Sequence, residues 1–394
     1  SGFKTKAEAQ EEGNKAYTEY LNAGVPFKES SISYTDYLDY WFDNYCKINL
    51  KYNTIEAYKN IIKKHIVPKI GKYRLSTLTS VKLNSFITEL CEENNFAPSY
   101  FKNILKVLKG SFRDACDIYG FIKYNPARDL RLPKLDKRKN DIKHLYTQEE
   151  IDLILNRFTN NDTFTCVFLT SCYTGMRTGE VCALIWDNVD LKNGVISIEH
   201  NVYDKPKDEK GRWFIGTTKT ETGTRKVHIC QTLKIALQNY KNKQDYLKKI
   251  YGKKYIYYHI EDVVNKSGKV IEHRIVKDDI NNKPNNQLNL IFTREDGEYI
   301  GTDITRYPFK IIHNELGIKK CRFYDLRGSY ATKILKNGIE IRDVADLLGH
   351  KNIETTENFY ISSTEDSRKY ATEIFDNISR SETIDKIIKY KIDS

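Results

Sequence analysis

The chain has 394 residues, 40% of them hydrophobic and 30% charged. That is enough apolar content for two or three globular cores and excludes wholesale disorder. No run approaches the roughly 18 uninterrupted apolar residues of a membrane-spanning helix, and no secretory pattern is read at the start. The formal net charge of +11 favours a polyanionic partner, because cations that meet phosphates release condensed counterions.

The eight cysteines are Cys46, Cys91, Cys116, Cys166, Cys172, Cys182, Cys230 and Cys321. None forms a C-x-x-C pair, and most stand within apolar helical patterns. They are expected to be buried thiols of a reducing, cytoplasmic compartment rather than a disulfide framework or a zinc site. The histidines are scattered, so neither a metal nor another cofactor is expected. Met176 is the only methionine, and the natural chain is expected to continue upstream of Ser1.

Residues 2–23 read as a loop and one polar helix with little apolar face, closed by Gly24-Val25-Pro26. Ser33-Tyr34-Thr35-Asp36 then has the form of a helix start. Tyr34, Tyr37, Leu38, Trp41, Phe42 and Tyr45 follow at helical spacing. A second helix is expected from Thr54 to Val67, stopped by Pro68, a third from about Thr79 to Cys91, and a fourth from about Ser99 to Tyr119, ended by Gly120. Together they predict a helical bundle over residues 31–131.

The fourth helix carries Phe101, Leu105, Leu108 and Phe112 as an apolar stripe. Lys102, Lys106, Lys109 and Arg113 form a second stripe one position around. A solvated face is the ordinary reading of such a stripe; four cations without an intervening acid favour a phosphate-tracking surface. Residues 132–145, with Lys137, Arg138 and Lys139, read as a basic linker able to lie along DNA.

Thr147 and Glu150 form a capping box, and the pattern from 146 to 394 is mostly helical with β-like runs. Gly194 to Ile198 is one strand candidate. Trp213–Ile215 and Arg225–Ile229 flank Glu221-Thr222-Gly223, which predicts a hairpin, and Leu290–Phe292 predicts another strand. Residues 250–287 read as an inserted hairpin. The fold class is therefore mainly α with a small β-sheet.

Three stretches carry chemistry: Thr174-Gly175-Met176-Arg177-Thr178-Gly179-Glu180; Tyr324-Asp325-Leu326-Arg327; and Leu348-Gly349-His350, with Tyr360 ten positions on. Each alone has a plain explanation, such as an ion pair on a helix surface. Together, in this order, they closely resemble the tyrosine recombinases, or phage-type integrases. The resemblance covers residues 147–375 and, more weakly, the bundle at 31–140, including Asn125-Pro126-Ala127 before the linker.

The resemblance implies a core-site DNA-binding bundle followed by a mixed α/β catalytic domain. It implies that Arg177 and Arg327 clamp a phosphodiester, that His350 adds a donor, and that Tyr360 is the nucleophile. Lys219, before Thr220, takes the place of the family's general acid, with Lys226 as the alternative. Glu180 and Asp325 support the arginines from behind. Two positions depart from the family pattern. Tyr324 stands where the family usually has histidine, and a phenol with a pKa near 10 exchanges protons poorly at neutral pH. Gly328 also replaces a frequent histidine.

Two arginines can hold the non-bridging oxygens of a phosphodiester through charge-assisted bonds as negative charge grows there. The expected reaction is strand exchange without metal or ATP. The resemblance further implies double-stranded DNA as partner, a homotetramer on DNA, and accessory excision or bending proteins at the bacterial nucleoid. It implies a C-terminal tail helix (Ile384, Ile387, Ile388, with Phe375 and Ile378 before it) that docks on a neighbouring subunit. Residues 1–25 resemble the end of an arm-DNA-binding domain, which implies an integrase of a temperate phage or conjugative transposon. A Xer-like resolvase, a type IB topoisomerase and a DNA-binding regulator that has lost catalysis are the competing readings.

Overall fold

Ser33 starts the first long helix, its hydroxyl accepting the Asp36 backbone N–H. The computed structural model describes residues 5, 8–14, 30–133, 144–217, 224–264, 268, 270–278, 287–318, 321–350, 352–354 and 356–357. The chain divides into two units, Ser1–Lys139 and Asn140–Ser394. No helix among the described residues is long and apolar enough to cross a membrane.

In the first unit, α1 (Tyr34–Trp41) widens into a π-type turn and runs on to Asn49. Helix α2 (Tyr52–Ile61) does the same at Ile62–Ile66 before a last α-turn, Val67–Ile70. The helix therefore starts earlier than Thr54 and is not stopped by Pro68. In a regular helix the proline ring would meet the carbonyl four residues back; the wider turn immediately before it relieves that conflict. Helices α3 (Ser80–Glu93) and α4 (Pro98–Asp117) complete the bundle. Pro98 sits in the first turn of α4, where its missing N–H has no intrahelical partner to lose.

Helix α1 is bound to α4 through buried polar contacts within the apolar core. The Tyr34 hydroxyl lies 2.9 Å from the Ser111 hydroxyl, and Tyr37 donates to the Ser111 carbonyl at 2.6 Å. The Trp41 indole N–H donates to Asp114 at 2.7 Å. Asp114 is fully buried, so its charge needs a partner, and Arg113 supplies one through two bonds of 2.9 and 2.8 Å.

The second unit opens with α5 (Gln148–Arg157), capped reciprocally by Thr147 and Glu150. Helices α6 (Asp162–Thr174) and α7 (Thr178–Cys182) follow, then β1 (Val189–Asp190), β2 (Val195–Ile198), β3 (His200–Asp208), β4 (Gly211–Thr217) and β5 (Arg225–His228). After α8 (Gln231–Tyr251) come β6 (Tyr258–Val264), β7 (Val270–Lys277), α9 (Arg306–Asn314), α10 (Asp325–Lys336) and α11 (Ile341–Leu348). The strands form two antiparallel sheets, β1-β2-β5 and β3-β4-β7-β6.

The hairpin expected between Trp213–Ile215 and Arg225–Ile229 does not form. Ile215 pairs with Val202 and His273, whereas Lys226 pairs with Ser197 in the other sheet. Burial decides this partition, since register follows whichever pairing sends a strand's apolar face into the core. Val202, Trp213, Ile215 and Ile275 turn together into the core, while Val227 packs with Ile196 and Ile198. Leu290–Phe292 is likewise not a strand. Leu290 makes one bridge to Ile185, and the run is apolar because all three residues are buried. The architecture is mainly helical with small antiparallel sheets.

Candidate active site

Helix α6 ends where Gly175 turns left-handed, φ 62°, a conformation glycine adopts without the clash of a Cβ. Space there is also closed: a Cβ would lie 2.6 Å from Tyr330 and 2.8 Å from Leu348. The chain passes extended through Arg177 and re-enters helix at α7. Glu180 accepts the Arg177 backbone N–H at 3.0 Å and its guanidinium at 2.6 Å. The spacing of Arg177 and Glu180 is therefore a helix cap as well as an ion pair.

Helix α11 ends at a second left-handed glycine, Gly349, φ 64°. The last carbonyls of a helix lack partners within it, and here each is taken. Ala345 accepts from the His350 N–H at 2.9 Å, and Asp346 from the Gly349 N–H at 3.0 Å. Leu347 accepts from Arg225 Nε at 2.9 Å, Leu348 from Arg327 Nη2 at 2.6 Å, and Gly349 from Arg177 Nη2 at 3.3 Å. Three consecutive carbonyls are thus held by arginines from three elements: the start of β5, helix α10 and the cap of α7. Positive charge at a helix C-terminus also complements its dipole.

Two of these guanidiniums share one carboxylate, because Arg225 also pairs with Glu180 at 2.9 and 3.3 Å, while Arg327 feels its charge without a direct bond. Arg327 and Glu180 are buried, at 0% and 3% exposure. Burial alone would raise the Glu180 pKa; the hydrogen bond and charge of Arg225, then Arg177, outweigh it and hold the carboxyl below its ordinary value. Burial first, and Arg177 second, press Arg327 down to about 10, so it remains cationic at neutral pH. Burial followed by Arg327, Arg177 and Arg225 lowers His350 to about 4, which leaves its imidazole neutral. His350 Nδ1 lies 2.8 Å from the hydroxyl of buried Thr356.

Among the described residues, three cations against one anion leave the site with a surplus of positive charge. The buried Arg327 Nε has no hydrogen-bond partner among the described residues. An orphaned buried donor costs roughly 1–3 kcal/mol, and an entering anion would offset both the orphan and the surplus.

Arg177, Glu180, Arg327 and His350 are brought together here. Tyr324 stands just before α10 and is 46% exposed. Asp325 is buried at the first position of α10, but its carboxylate accepts from the Arg322 backbone N–H and guanidinium, at 2.9 and 2.8 Å, rather than from Arg327. Lys226 is exposed on β5. Lys219, Tyr360, Lys137, Arg138, Lys139 and the tail bearing Phe375, Ile378, Ile384, Ile387 and Ile388 lie outside the described residues. Sequence reasoning gave no role to Arg225 or Thr356. For Arg225 a signal existed: it alternates with Val227 on the inward side of its strand, an unusual place for an unpaired charge.

A phage integrase family model matches residues 144–366, more than half of the chain. The chain belongs to the phage integrase family. It is a tyrosine recombinase, an enzyme of DNA strand transfer and site-specific recombination. The N-terminal SAM-like domain of phage integrases matches residues 33–91 of the recombinase. A Caldanaerobacter subterraneus protein, "Tyrosine recombinase XerC-like", is 23% identical over 369 residues, covering 91% of this chain and 86% of that one. The ICEBs1 integrase of Bacillus subtilis is 22% identical over 334 residues, 84% and 80% of the two chains. Among solved structures, the Tn1549 transposon integrase in complex with circular intermediate DNA superimposes with a TM-score of 0.64 at 16% identity, over 87% of this chain and 99% of that one. A lambda integrase tetramer bound to a Holliday junction gives 0.54 at 17% identity, over 91% and 88%. These likenesses establish the shared fold.

Proposed function

We propose that the recombinase integrates and excises a mobile element by cutting and rejoining duplex DNA through a transient 3′-phosphotyrosyl bond at Tyr360. The observation that carries this reading is the cationic surplus, among the described residues, of Arg177, Arg225 and Arg327 over Glu180, with a donor on Arg327 that has no partner among them. A phosphodiester brings the single negative charge and the oxygen acceptors that such a site lacks. Arg177 and Arg327 hold its non-bridging oxygens, and their hold strengthens as charge grows there in the transition state. Neutral His350 donates through one ring nitrogen while Thr356 engages the other.

Tyr360 releases its phenolic proton to solvent, and its oxygen forms a bond to phosphorus as the bond to the 5′-oxygen breaks. Lys219 protonates that oxygen, which leaves as a free hydroxyl. A 5′-hydroxyl from another strand reverses the step, so no ATP is consumed.

The first unit grips the core site in this reading. Lys102, Lys106, Lys109 and Arg113 line a cleft of about 690 Å³ together with Trp41, Tyr45 and Tyr58. The basic segment with Lys137, Arg138 and Lys139 follows the DNA backbone. The solved relatives on transposon-end DNA and on a Holliday junction support duplex DNA as substrate. A homotetramer on DNA with tails exchanged in trans, accessory excision or bending proteins, and a place at the bacterial nucleoid complete the proposal.

The test is a nicked suicide duplex built from the ends of the encoding element, incubated in EDTA. A denaturation-resistant protein–DNA adduct, absent with Tyr360→Phe, is the expected result. Tight specific binding with no adduct would overturn catalysis in favour of a regulator.

A further inference from the structure

Arg225 has no part in the steps above, yet it touches two of the elements that form the pocket. It opens β5, six positions after Lys219, and its side chain is 7% exposed. Its Nε donates to the Leu347 carbonyl, two residues before Gly349, and its two terminal nitrogens meet both oxygens of Glu180. Glu180 in turn holds Arg177 by backbone and side chain. One planar group therefore joins a strand, the α7 cap and the end of α11.

We propose that Arg225 is a positioning residue for strand transfer, fixing the Leu347–Gly349 turn and the Arg177–Glu180 cap in one geometry so that Arg177, Arg327 and His350 converge on a phosphate. This rests on the phosphodiester reading of the pocket.

The chemistry requires an arginine. Three acceptors on two elements are met by a rigid fork of donors, whereas a lysine ammonium is a point charge on a flexible stem. Lysine would answer Glu180 and release Leu347. Arg225 also adds to the positive field that keeps His350 neutral, so loss of its charge has a signature that loss of packing does not.

The test uses the full chain as wild type, Arg225→Lys, Arg225→Ala and Tyr360→Phe. Single-turnover adduct formation on the nicked duplex is measured beside DNA affinity and an NMR titration of His350. Misplaced reacting groups cost on the order of 100-fold in rate, so both Arg225 variants are expected to slow adduct formation by about 10- to 100-fold, with DNA affinity within about twofold of wild type. Arg225→Ala raises the His350 midpoint above its value of about 4; Arg225→Lys, which keeps the charge, leaves it low. A wild-type rate in Arg225→Lys overturns the assignment, including the case in which Arg225→Ala does not fold. A folded Arg225→Ala with unchanged rate and unchanged midpoint overturns it too. No adduct with wild type on the same duplex would instead remove the phosphodiester reading on which the assignment stands.

Discussion

The guanidinium of Arg327 donates to the carbonyl of Gly175, 152 positions earlier in the chain, at 2.7 Å. The same side chain reaches Leu348 at 2.6 Å. The ends of α6 and α11 are thereby tied through one buried cation. The T-G-x-R stretch and the L-G-H stretch are distant in sequence, and Arg327 makes them one surface.

Gly175→Ala should weaken that tie. The left-handed backbone costs a non-glycine residue roughly 1–2 kcal/mol, and the added Cβ meets Tyr330 at 2.6 Å. A loss of more than about 2 kcal/mol is expected in urea unfolding, together with slower adduct formation. A variant as stable as wild type would show that the turn relaxes freely.

Glu180→Gln keeps the shape of the cap and removes the carboxylate that pairs with Arg177 and Arg225. Breaking a buried ion network in this way costs about 3 kcal/mol. Sulfate, an anion able to enter the site, should recover part of the lost melting temperature, and more of it in the variant than in wild type. Equal sulfate responses would contradict the account of surplus charge.

Stability should fall in mild acid because of His350. Its folded pKa is lowered to about 4, whereas in the unfolded chain it titrates near 6.5. Between those values the unfolded state binds more protons, so stability is lost as pH drops through that window and is insensitive to His350 above it. Urea unfolding at about pH 7 and pH 5 should show a larger loss for wild type than for His350→Gln. Parallel losses would mean that His350 is not held neutral.

Tyr324 is half-exposed at the mouth of α10, so Tyr324→His should change stability by no more than about 0.5 kcal/mol. If the pocket binds a phosphodiester as proposed, the variant introduces a group that titrates near 6.5. Adduct formation should then acquire an inflection in that range that wild type lacks. A flat difference profile would place Tyr324 outside the proton path.

In the first unit, Lys106 and Arg113 line the same cleft but differ in what they hold. Lys106→Ala should leave folding unchanged and reduce the salt dependence of DNA binding by about one unit of slope. Arg113→Ala deprives the buried Asp114 of its cation and should cost about 3 kcal/mol of stability. Identical stability losses would contradict this distinction.

Much of the fold was legible because local signals and packing agree. Ser33, Thr79 and Thr147 cap the helices whose starts they mark, and Arg177, Arg327 and His350 sit in short stretches of distinctive order. Strand pairing was less legible: β4 and β5 are neighbours in sequence, yet which apolar face each can bury is set by β2, β3 and β7. Pro68 misled because a wider turn, invisible to residue propensity, accommodates it. Asp325 misled because its proximity to Arg327 in sequence says nothing of Arg322 on its other side. Arg225 was missed because its partners, Glu180 and Leu347, are 45 and 122 positions away.

The grip on the end of α11 divides mutational risk unevenly. The acceptors at 347, 348 and 349 are main-chain oxygens, present whatever side chain those positions carry. The donors are side chains, each removed by a single substitution. Drift at position 347 can therefore proceed without releasing the helix end, while a single substitution at Arg177, Arg225 or Arg327 removes one of its donors.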